Sequence, residues 1–382
     1  MTDKSTFCIL PWIHLSTNND GKFRPCCFAN QSNTYNINNN TYEEYMLSDY
    51  NLHLRTLMLN GEWHPDCNRC QSEEALTKTS KRTQSNNSFK QKAINAGYTF
   101  ELNSVNAPLF LDIRPSNKCN LKCKMCNSTS SSLIGIEEQQ KDPLITLEHT
   151  AIEEIKRNIT CNTTELYILG GETTVMDEVL DLIEYVDKNN YTENLHFRTN
   201  INGTVLPDVF LSAITKFKMT SIAVSIDGYD EVNNYIRYPS KWSKIEQNLS
   251  TLYQLALENI SINLRVCVTV QSLNILSLDK FLSWLEQFTP GIKVELLLLT
   301  EPKEFSIYML PFAVRERIHQ SLNRDYNLQL YRFKHILAAL LKDNVDYSQY
   351  KNSFWTKSNR QDNYRGVSLE QTLPEVYKIL KS

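Results

Sequence analysis

Residues 119–126 are Cys119-Asn120-Leu121-Lys122-Cys123-Lys124-Met125-Cys126, and they follow a short apolar stretch at 109–113 that is predicted to be a strand. Three thiolates at this spacing can hold one face of a four-iron four-sulfur (4Fe-4S) cluster and leave the fourth iron open. Thiolates also suit zinc, but a structural zinc site takes four protein ligands and has no open position. We therefore predict that the three cysteines bind a 4Fe-4S cluster, with a zinc loop as the alternative.

The sequence around this loop alternates between predicted strands and predicted helices. The strands are predicted at 109–113, 165–169, 195–199, 221–226, 261–270 and 293–299. The helices are predicted at 147–158, 176–189, 207–217, 242–257 and 278–288. This alternation favours a parallel sheet, because each crossover between parallel strands needs a covering helix. We predict an α/β fold: a partial (β/α)6 TIM-type barrel with active loops at the carboxyl ends of its strands, and a small cysteine-rich N-terminal module.

The cysteine loop resembles the signature of the radical S-adenosylmethionine (SAM) superfamily, with Met125 as the hydrophobic residue before the last cysteine. The resemblance implies that the open iron binds the amino and carboxylate groups of SAM. It also implies that one electron cleaves SAM to methionine and a 5′-deoxyadenosyl radical, which abstracts a hydrogen atom from the substrate. The cofactor carries this chemistry, and the protein positions and shields it.

Further motifs of that family are matched at the ends of later strands. Leu169-Gly170-Gly171-Glu172 resembles the motif that contacts the SAM amino group, although Thr173 stands where the family usually has proline. By resemblance, Ser225 and Arg237 would bind the SAM carboxylate, and the end of the fifth predicted strand would contact adenine. The resemblance covers about residues 108–302 and implies these cofactor-binding residues: Met125, Gly170, Gly171, Glu172, Thr199, Asn200, Ser225, Arg237, Val268 and Val270.

Composition narrows the function classes. The chain has 382 residues and a formal net charge of -3, so no overall positive field attracts nucleic acid or membrane surfaces. No stretch approaches the ~20 apolar residues of a membrane span. The first residues lack the basic and apolar pattern of an export signal, so we expect a cytoplasmic protein. In that compartment the ten cysteines, which are clustered, indicate metal binding rather than disulfides.

Five of the cysteines lie within the first 70 residues. Four of them can form a second ligand set: Cys8, Cys26, Cys67 and Cys70. Gly21, with four residues before Cys26, predicts a tight hairpin that carries one thiolate. Spacing alone leaves zinc and a second iron–sulfur cluster equally open.

This segment resembles the twitch module, the shortened form of the SPASM module. The matching features are Cys-x-x-Pro-Trp from Cys8, Gly-x4-Cys-Cys from Gly21 and the later Cys-x-x-Cys. The resemblance implies an auxiliary 4Fe-4S cluster, although such modules more often follow the barrel than precede it. Cys27 is the alternative to Cys26 as the ligand.

We predict four segments along the chain. Residues 1–76 form the twitch or SPASM-like module, including a helix at 41–60, and residues 77–107 form a basic linker or exposed helix. Residues 108–302 form the barrel, and residues 303–382 form a C-terminal helical extension.

Alternation of side chains along the strands predicts a polar interior. Its residues are Asp112, Arg114, His196, Arg198, Asn200, Arg265, Cys267 and Thr269. If Arg114, Arg198 or Arg265 is not paired with an acid such as Asp112, Asp227 or Glu295, it should bind an anionic group of the substrate.

The sequence therefore predicts a radical SAM oxidoreductase or modifying enzyme, acting on a peptide or protein. The alternative is the oxidation or epimerisation of a small molecule such as a sugar or an aminocyclitol. An external electron donor such as flavodoxin or ferredoxin is expected, and a membrane partner is not. A non-catalytic metal-stabilised binding protein would not need the complete cysteine triplet. Nucleic-acid modification has only the basic stretch at 78–92 in its favour.

Overall fold

The computed structural model describes residues 5–29 and 33–382, which form eight strands and seventeen α-helices. The strands are β1 (His14–Ser16), β2 (Phe110–Ile113), β3 (Glu165–Ile168), β4 (His196–Ile201), β5 (Met219–Ser225), β6 (Ile262–Val270), β7 (Lys293–Leu298) and β8 (Gln329–Tyr331). Their order in the sheet follows the chain, from β1 to β8.

Five helices precede β2, and four more are spread between β2 and β5. They are α1 (Leu10–Ile13), α2 (Tyr42–Met46), α3 (Asp49–Asn60), α4 (Asn68–Thr77), α5 (Lys81–Asn95), α6 (Ser132–Glu137), α7 (His149–Asn158), α8 (Asp177–Lys188) and α9 (Asp208–Ile214). After β5 come α10 (Glu231–Ile236), α11 (Trp242–Glu258), α12 (Leu278–Phe288), α13 (Phe312–Leu322), α14 (Phe333–Leu340), α15 (Lys351–Arg365), α16 (Leu369–Thr372) and α17 (Pro374–Lys381). Within the described ranges, none of these helices has the length and apolar character needed to cross a membrane.

The first compact unit comprises residues 1–118, 144–199 and 209–220. It holds β1, β2, β3 and most of β4, which pair in parallel. The pairing register brings two rows of side chains to the same face: His14, Phe110, Glu165 and His196 in one, and Ser16, Asp112, Tyr167 and Arg198 in the next. In this unit the N-terminal segment packs against α5 and β2, and the hydrophobic core between them includes Phe7, Trp12 and Phe89.

The second unit comprises residues 119–143, 200–208 and 221–382. In it β6, β7 and β8 pair in parallel, and Ile226, just after β5, donates its N–H to the carbonyl of Cys267 in β6. The helices bury one apolar face each, as α11 does with Ile245, Leu249 and Leu252. That spacing of three and four residues is typical of a helix packed on a sheet.

The α/β fold class with strands and helices in alternation is confirmed, and all six predicted strands are present. The sequence missed β1 and β8, which have three residues each. The helix predicted at 41–60 is two helices, because Ser48 caps α3 with its side chain and ends the continuous pattern. The stretch at 78–92, predicted as a linker or an exposed helix, is largely helical, and α5 buries Phe89.

Candidate functional site

The cysteine loop lies in the second unit and is held by its own backbone. Cys119 donates its N–H to Ser132 Oγ at 3.4 Å, and Cys126 donates its N–H to the carbonyl of Cys123 at 3.1 Å. Burial raises the pKa of the Cys123 thiol, and the neighbouring Cys126 and Cys119 raise it further. The three predicted ligands therefore lie close enough for Cys119 and Cys126 to affect the pKa of Cys123. Within residues 5–29 and 33–382, no three His, Cys, Asp or Glu side chains converge on a point that one metal ion could occupy.

The backbone of this loop also pairs with the segment after α10. Lys122 and Lys124 donate their N–H groups to the carbonyls of Tyr238 and Ile236, at 2.6 and 2.8 Å. This pairing places the intervening Arg237 beside the loop, with its Nη1 4.0 Å from Cys123 Sγ. Two backbone hydrogen bonds thus account for the position of Arg237 beside the cysteine loop, and its role in binding the SAM carboxylate stays a prediction.

Asp227 holds the Arg237 side chain in place. Its Oδ2 lies 2.8 Å from Arg237 Nε, and its Oδ1 accepts a hydrogen bond from the N–H of Thr269 at 2.7 Å. Burial would lower the pKa of Arg237, but the Asp227 carboxylate raises it above its ordinary value, so the guanidinium stays charged. Asp227 was predicted only as an interior acid, and its pairing with Arg237 could not be inferred from spacing.

Two buried ion pairs connect α15 to the cysteine loop and to α6. Lys124 has no exposed side-chain surface, and its Nζ pairs with Asp362, which also accepts a hydrogen bond from the hydroxyl of Tyr235. Arg365 binds both oxygens of Glu137 at 2.9 Å, in the two-pronged geometry that a guanidinium favours. We refer to the contacts of Lys124 with Asp362 and of Arg365 with Glu137 as the C-terminal clamp. Sequence reasoning missed it and treated residues 303–382 only as a helical extension.

Gly170 and Gly171 lie in the first unit, where they pass close to the backbone of residues 116–118. A Cβ atom on Gly170 would come within 2.4 Å of the carbonyl oxygen of Ser116, and one on Gly171 within 2.3 Å of that of Lys118. Gly170 also has a φ of 141°, which an L side chain rarely adopts. A side chain at either position would therefore clash with the backbone of residues 116–118, which lead to the cysteine loop. This close packing requires glycine independently of any contact with a cofactor.

The two residues after these glycines, Glu172 and Thr173, form hydrogen bonds within the protein. Glu172 is buried, and its Oε1 accepts hydrogen bonds from the N–H and hydroxyl of Thr174 at 3.1 and 2.6 Å. Thr173, at the position where proline was expected, has its Oγ1 2.9 Å from Thr199 Oγ1. This hydroxyl pair links the end of β3 to β4, so the departure from proline adds a side-chain contact that proline lacks.

The other cofactor-binding residues that were predicted differ in their exposure. Val268 and Val270 are completely buried, so only their backbone could contact a ligand. Met125, Asn200 and Ser225 are half-buried. Their roles stay predictions.

The N-terminal cysteines gather in the first unit. Burial raises the pKa of the Cys8 thiol, and the neighbouring Cys26, Cys67 and Cys70 raise it further. Burial raises the pKa of Cys26 to about 11 and that of Cys67 to about 12. Burial and the carboxylate of Asp112 raise the pKa of the Cys27 thiol. Three cations near this thiol, Lys81, Arg24 and Arg114, oppose the rise. Cys8 belongs to the hydrophobic core of the first unit and Cys26 and Cys67 pack against it, whereas Cys27 lies near charged side chains.

The local folding of this segment matches its motifs. Gly21 has a φ of 81° and donates its N–H to the carbonyl of Asn18, which forms the predicted turn. Cys26 follows it, and the N–H of Phe28 donates to Cys26 Sγ at 3.4 Å. Trp12 is completely buried and donates its indole N–H to the carbonyl of Glu101 at 2.8 Å.

The three interior arginines are all paired. Arg114 lies 3.0 Å from Asp112, Arg198 lies 3.3 Å from Glu165, and Arg265 lies 3.3 Å from Glu295. Because each guanidinium has a carboxylate, these three arginines give no basis for an anionic substrate group.

Comparisons with known proteins address the family. Residues 113–281 match the model described as the Radical SAM superfamily. A curated relative, the GTP 3',8-cyclase of Pasteurella multocida (strain Pm70), is 24% identical over 178 residues, which are 46% of this chain and 50% of the relative. The match thus spans only half the length of that relative. These findings support a radical SAM domain in this chain.

Solved structures resemble the chain more distantly. Streptococcus suis SuiB is 13% identical with a TM-score of 0.39, and the likeness covers 74% of this chain and 64% of SuiB. Native anSMEcpe with bound AdoMet and Kp18Cys peptide is 18% identical with a TM-score of 0.40, covering 57% of this chain and 63% of that protein. At these scores the likenesses carry no argument about function.

Proposed function

We propose, from the radical SAM domain that residues 113–281 match, that this chain is an enzyme that reductively cleaves SAM and abstracts a hydrogen atom from an organic substrate. The observation that carries the proposal is the cysteine loop with Arg237 beside it. Nη1 of the buried Arg237, which Asp227 holds in position, lies 4.0 Å from Sγ of Cys123 in this loop. Zinc in a structural site would need a fourth protein ligand.

The donor set fits a 4Fe-4S cluster, because thiolates are the protein ligands that such clusters take. When bound, the cluster supplies one electron that splits SAM into methionine and a 5′-deoxyadenosyl radical. In our proposal Cys119, Cys123 and Cys126 hold the cluster, and Arg237 binds the SAM carboxylate together with Ser225. Asp227 fixes the guanidinium through its Nε, which leaves the other nitrogens of Arg237 for a ligand.

The direct test is SAM cleavage by the reconstituted wild-type chain. Under anaerobic conditions with dithionite as reductant, we expect slow formation of 5′-deoxyadenosine without any added substrate, measured by liquid chromatography. Arg237→Met should lower this rate at least tenfold, whereas the exposed Arg360→Met should leave it unchanged, since Arg360 pairs only with Glu138 at 3.6 Å. If wild-type protein with a full complement of iron forms no 5′-deoxyadenosine, the proposal fails.

We further propose that Cys8, Cys26, Cys67 and Cys70 bind an auxiliary 4Fe-4S cluster. Their mutual electrostatic influence and their burial against the N-terminal core support this ligand set. Cys27 lies among charged groups instead, which favours Cys26 as the ligand.

Single substitutions distinguish these two neighbouring cysteines. Cys26→Ser should remove about four irons per chain, whereas Cys27→Ser should keep the wild-type content of about eight, because separate ligand sets load separately. Iron is measured by colorimetric assay and zinc by mass spectrometry. The reverse pattern would assign Cys27 as the ligand, and stoichiometric zinc in place of the lost iron would exclude an auxiliary cluster.

For the substrate, we propose a peptide or protein, on the resemblance of residues 1–76 to the twitch module. The alternative is oxidation or epimerisation of a small molecule such as a sugar or an aminocyclitol, and the curated relative, by its name, acts on GTP. An external donor such as flavodoxin or ferredoxin would supply the electron, and a cytoplasmic location stays a prediction.

A further inference from the structure

Within residues 5–29 and 33–382, two buried arginines of the first unit, Arg24 and Arg55, form no ion pair with an acid. The Arg55 guanidinium instead donates to the backbone carbonyls of Pro11, Leu102 and Ser104. Arg24 is only 7% exposed, and its Nε and Nη2 have no hydrogen-bond partner among the described residues. A buried guanidinium without acceptors is costly, so its persistence calls for a ligand. These two nitrogens form one edge of the guanidinium, from which two parallel hydrogen bonds reach one carboxylate or phosphate.

The place of Arg24 in the fold suits a binding site. It donates its backbone N–H to the carbonyl of Ser16 at 2.9 Å, which puts it at the carboxyl end of β1. Ser16 is in register with Asp112 of β2, and the nearby Arg114 donates to the carbonyl of Thr17 at 3.1 Å. The carboxyl ends of parallel strands are where barrel and open α/β folds bind ligands.

The surroundings of Arg24 favour an anion. The charged residues that act on it include Arg114 and Asp112, and Arg114 already occupies an oxygen of Asp112 at 3.0 Å. Lys81 adds a further positive charge, since it acts on the adjacent Cys27. The hydroxyls of Ser16 and Thr17, at the same strand end, are buried and, in the part of the chain that is described, unpaired. Cations and neutral donors thus outnumber the one carboxylate.

We propose that Arg24 binds an anionic group of the substrate, a carboxylate or a phosphate, through its Nε and Nη2. This inference rests on the proposed function for the identity of the ligand as substrate. It differs from the pairing of Arg114, Arg198 and Arg265, which have acids of their own.

Another source of negative charge is the auxiliary cluster itself, because Arg24 stands two positions before Cys26. A guanidinium that serves the cluster would shift the reduction potential of that cluster when it is removed. One that serves a substrate group would change the binding of a free anion instead. The two measurements therefore separate the two sources.

The experiment uses the full chain, reconstituted anaerobically, with inorganic phosphate and acetate as probes in isothermal titration calorimetry. We expect saturable binding of at least one probe by the wild type and at least tenfold weaker binding by Arg24→Gln. Arg24→Lys should bind with intermediate affinity, because it keeps the charge and loses the two-pronged edge. Arg360→Gln, which removes a charge at the surface, should bind like the wild type.

Iron content and the thermal unfolding midpoint report whether each variant is folded. If Arg24→Gln loses iron, Arg24→Lys decides: weaker binding at full iron content supports the site, and unchanged binding refutes it. No saturable binding by the wild type, or equal binding by Arg24→Gln, would overturn the proposal. So would a lowered auxiliary-cluster potential with unchanged anion binding. Neither probe requires SAM, so Arg24-dependent binding without any SAM cleavage would refute the proposed function and keep the anion site.

Discussion

Replacing Cys119, Cys123 and Cys126 together with alanine should abolish 5′-deoxyadenosine formation and lower the iron content from about eight atoms per chain to about four. The three thiols share one loop, and Cys267, the other cysteine of the second unit, lies in β6 with its thiol 3.8 Å from Glu295. The N-terminal ligand set lies elsewhere in the chain and should load on its own. High-performance liquid chromatography of the nucleoside and an iron assay measure the two effects.

The matched control is Cys161→Ala, which removes an exposed thiol that belongs to neither ligand set. It should keep both the activity and the iron of the wild type. Remaining 5′-deoxyadenosine in the triple variant, above the level of a protein-free blank, would show that these cysteines do not hold the reactive cluster.

The second large effect concerns the C-terminal clamp. Asp362→Asn should destabilise the chain by about 3–5 kcal/mol, the usual cost of removing one partner of a buried ion pair. Lys124 has no exposed side-chain surface, so water cannot replace the lost carboxylate. The variant should also bind less iron at the cysteine loop, because Lys124 lies between two of its cysteines. Denaturant unfolding and iron content are the measurements.

Asp325→Asn is the control, since Asp325 is exposed in the same unit, and it should change stability by less than about 0.5 kcal/mol. The double variant Lys124→Met with Asp362→Leu removes both charges and should recover much of the lost stability, because an apolar pair can replace a buried ion pair. If Asp362→Asn is as stable and as rich in iron as Asp325→Asn, the clamp has no role in holding the loop.

Much of this arrangement could be predicted because it is local in sequence. Strand and helix periodicity located the six long strands, and the spacing of Cys119, Cys123 and Cys126 identified the ligand loop. Alternation along β4 predicted one face for His196, Arg198 and Asn200, and Arg198 lies over the ring of Tyr167 in β3. Such patterns depend on residues a few positions apart.

What could not be predicted depends on contacts between distant positions. Strands β1 and β8 have three residues each, too few for a period of two to be visible. Glu165, the acid that neutralises Arg198, is on a neighbouring strand and was not predicted, because its register follows from the sheet, whereas Glu295 was among the predicted candidates for Arg265. Arg24 stands two positions before Cys26, and nothing in the sequence shows that its guanidinium is buried without a hydrogen-bond partner on Nε and Nη2.

The C-terminal clamp also sets an order of events during synthesis. Lys124 and Asp362 are 238 positions apart, so the ribosome makes the loop long before its anchor. At a synthesis rate of about 5–20 residues per second, roughly 10 to 50 seconds pass between synthesis of the loop and synthesis of Asp362 in α15. Metal loading of a stable loop is therefore expected after translation, and products of premature termination before Asp362 should emerge unable to retain iron at this loop.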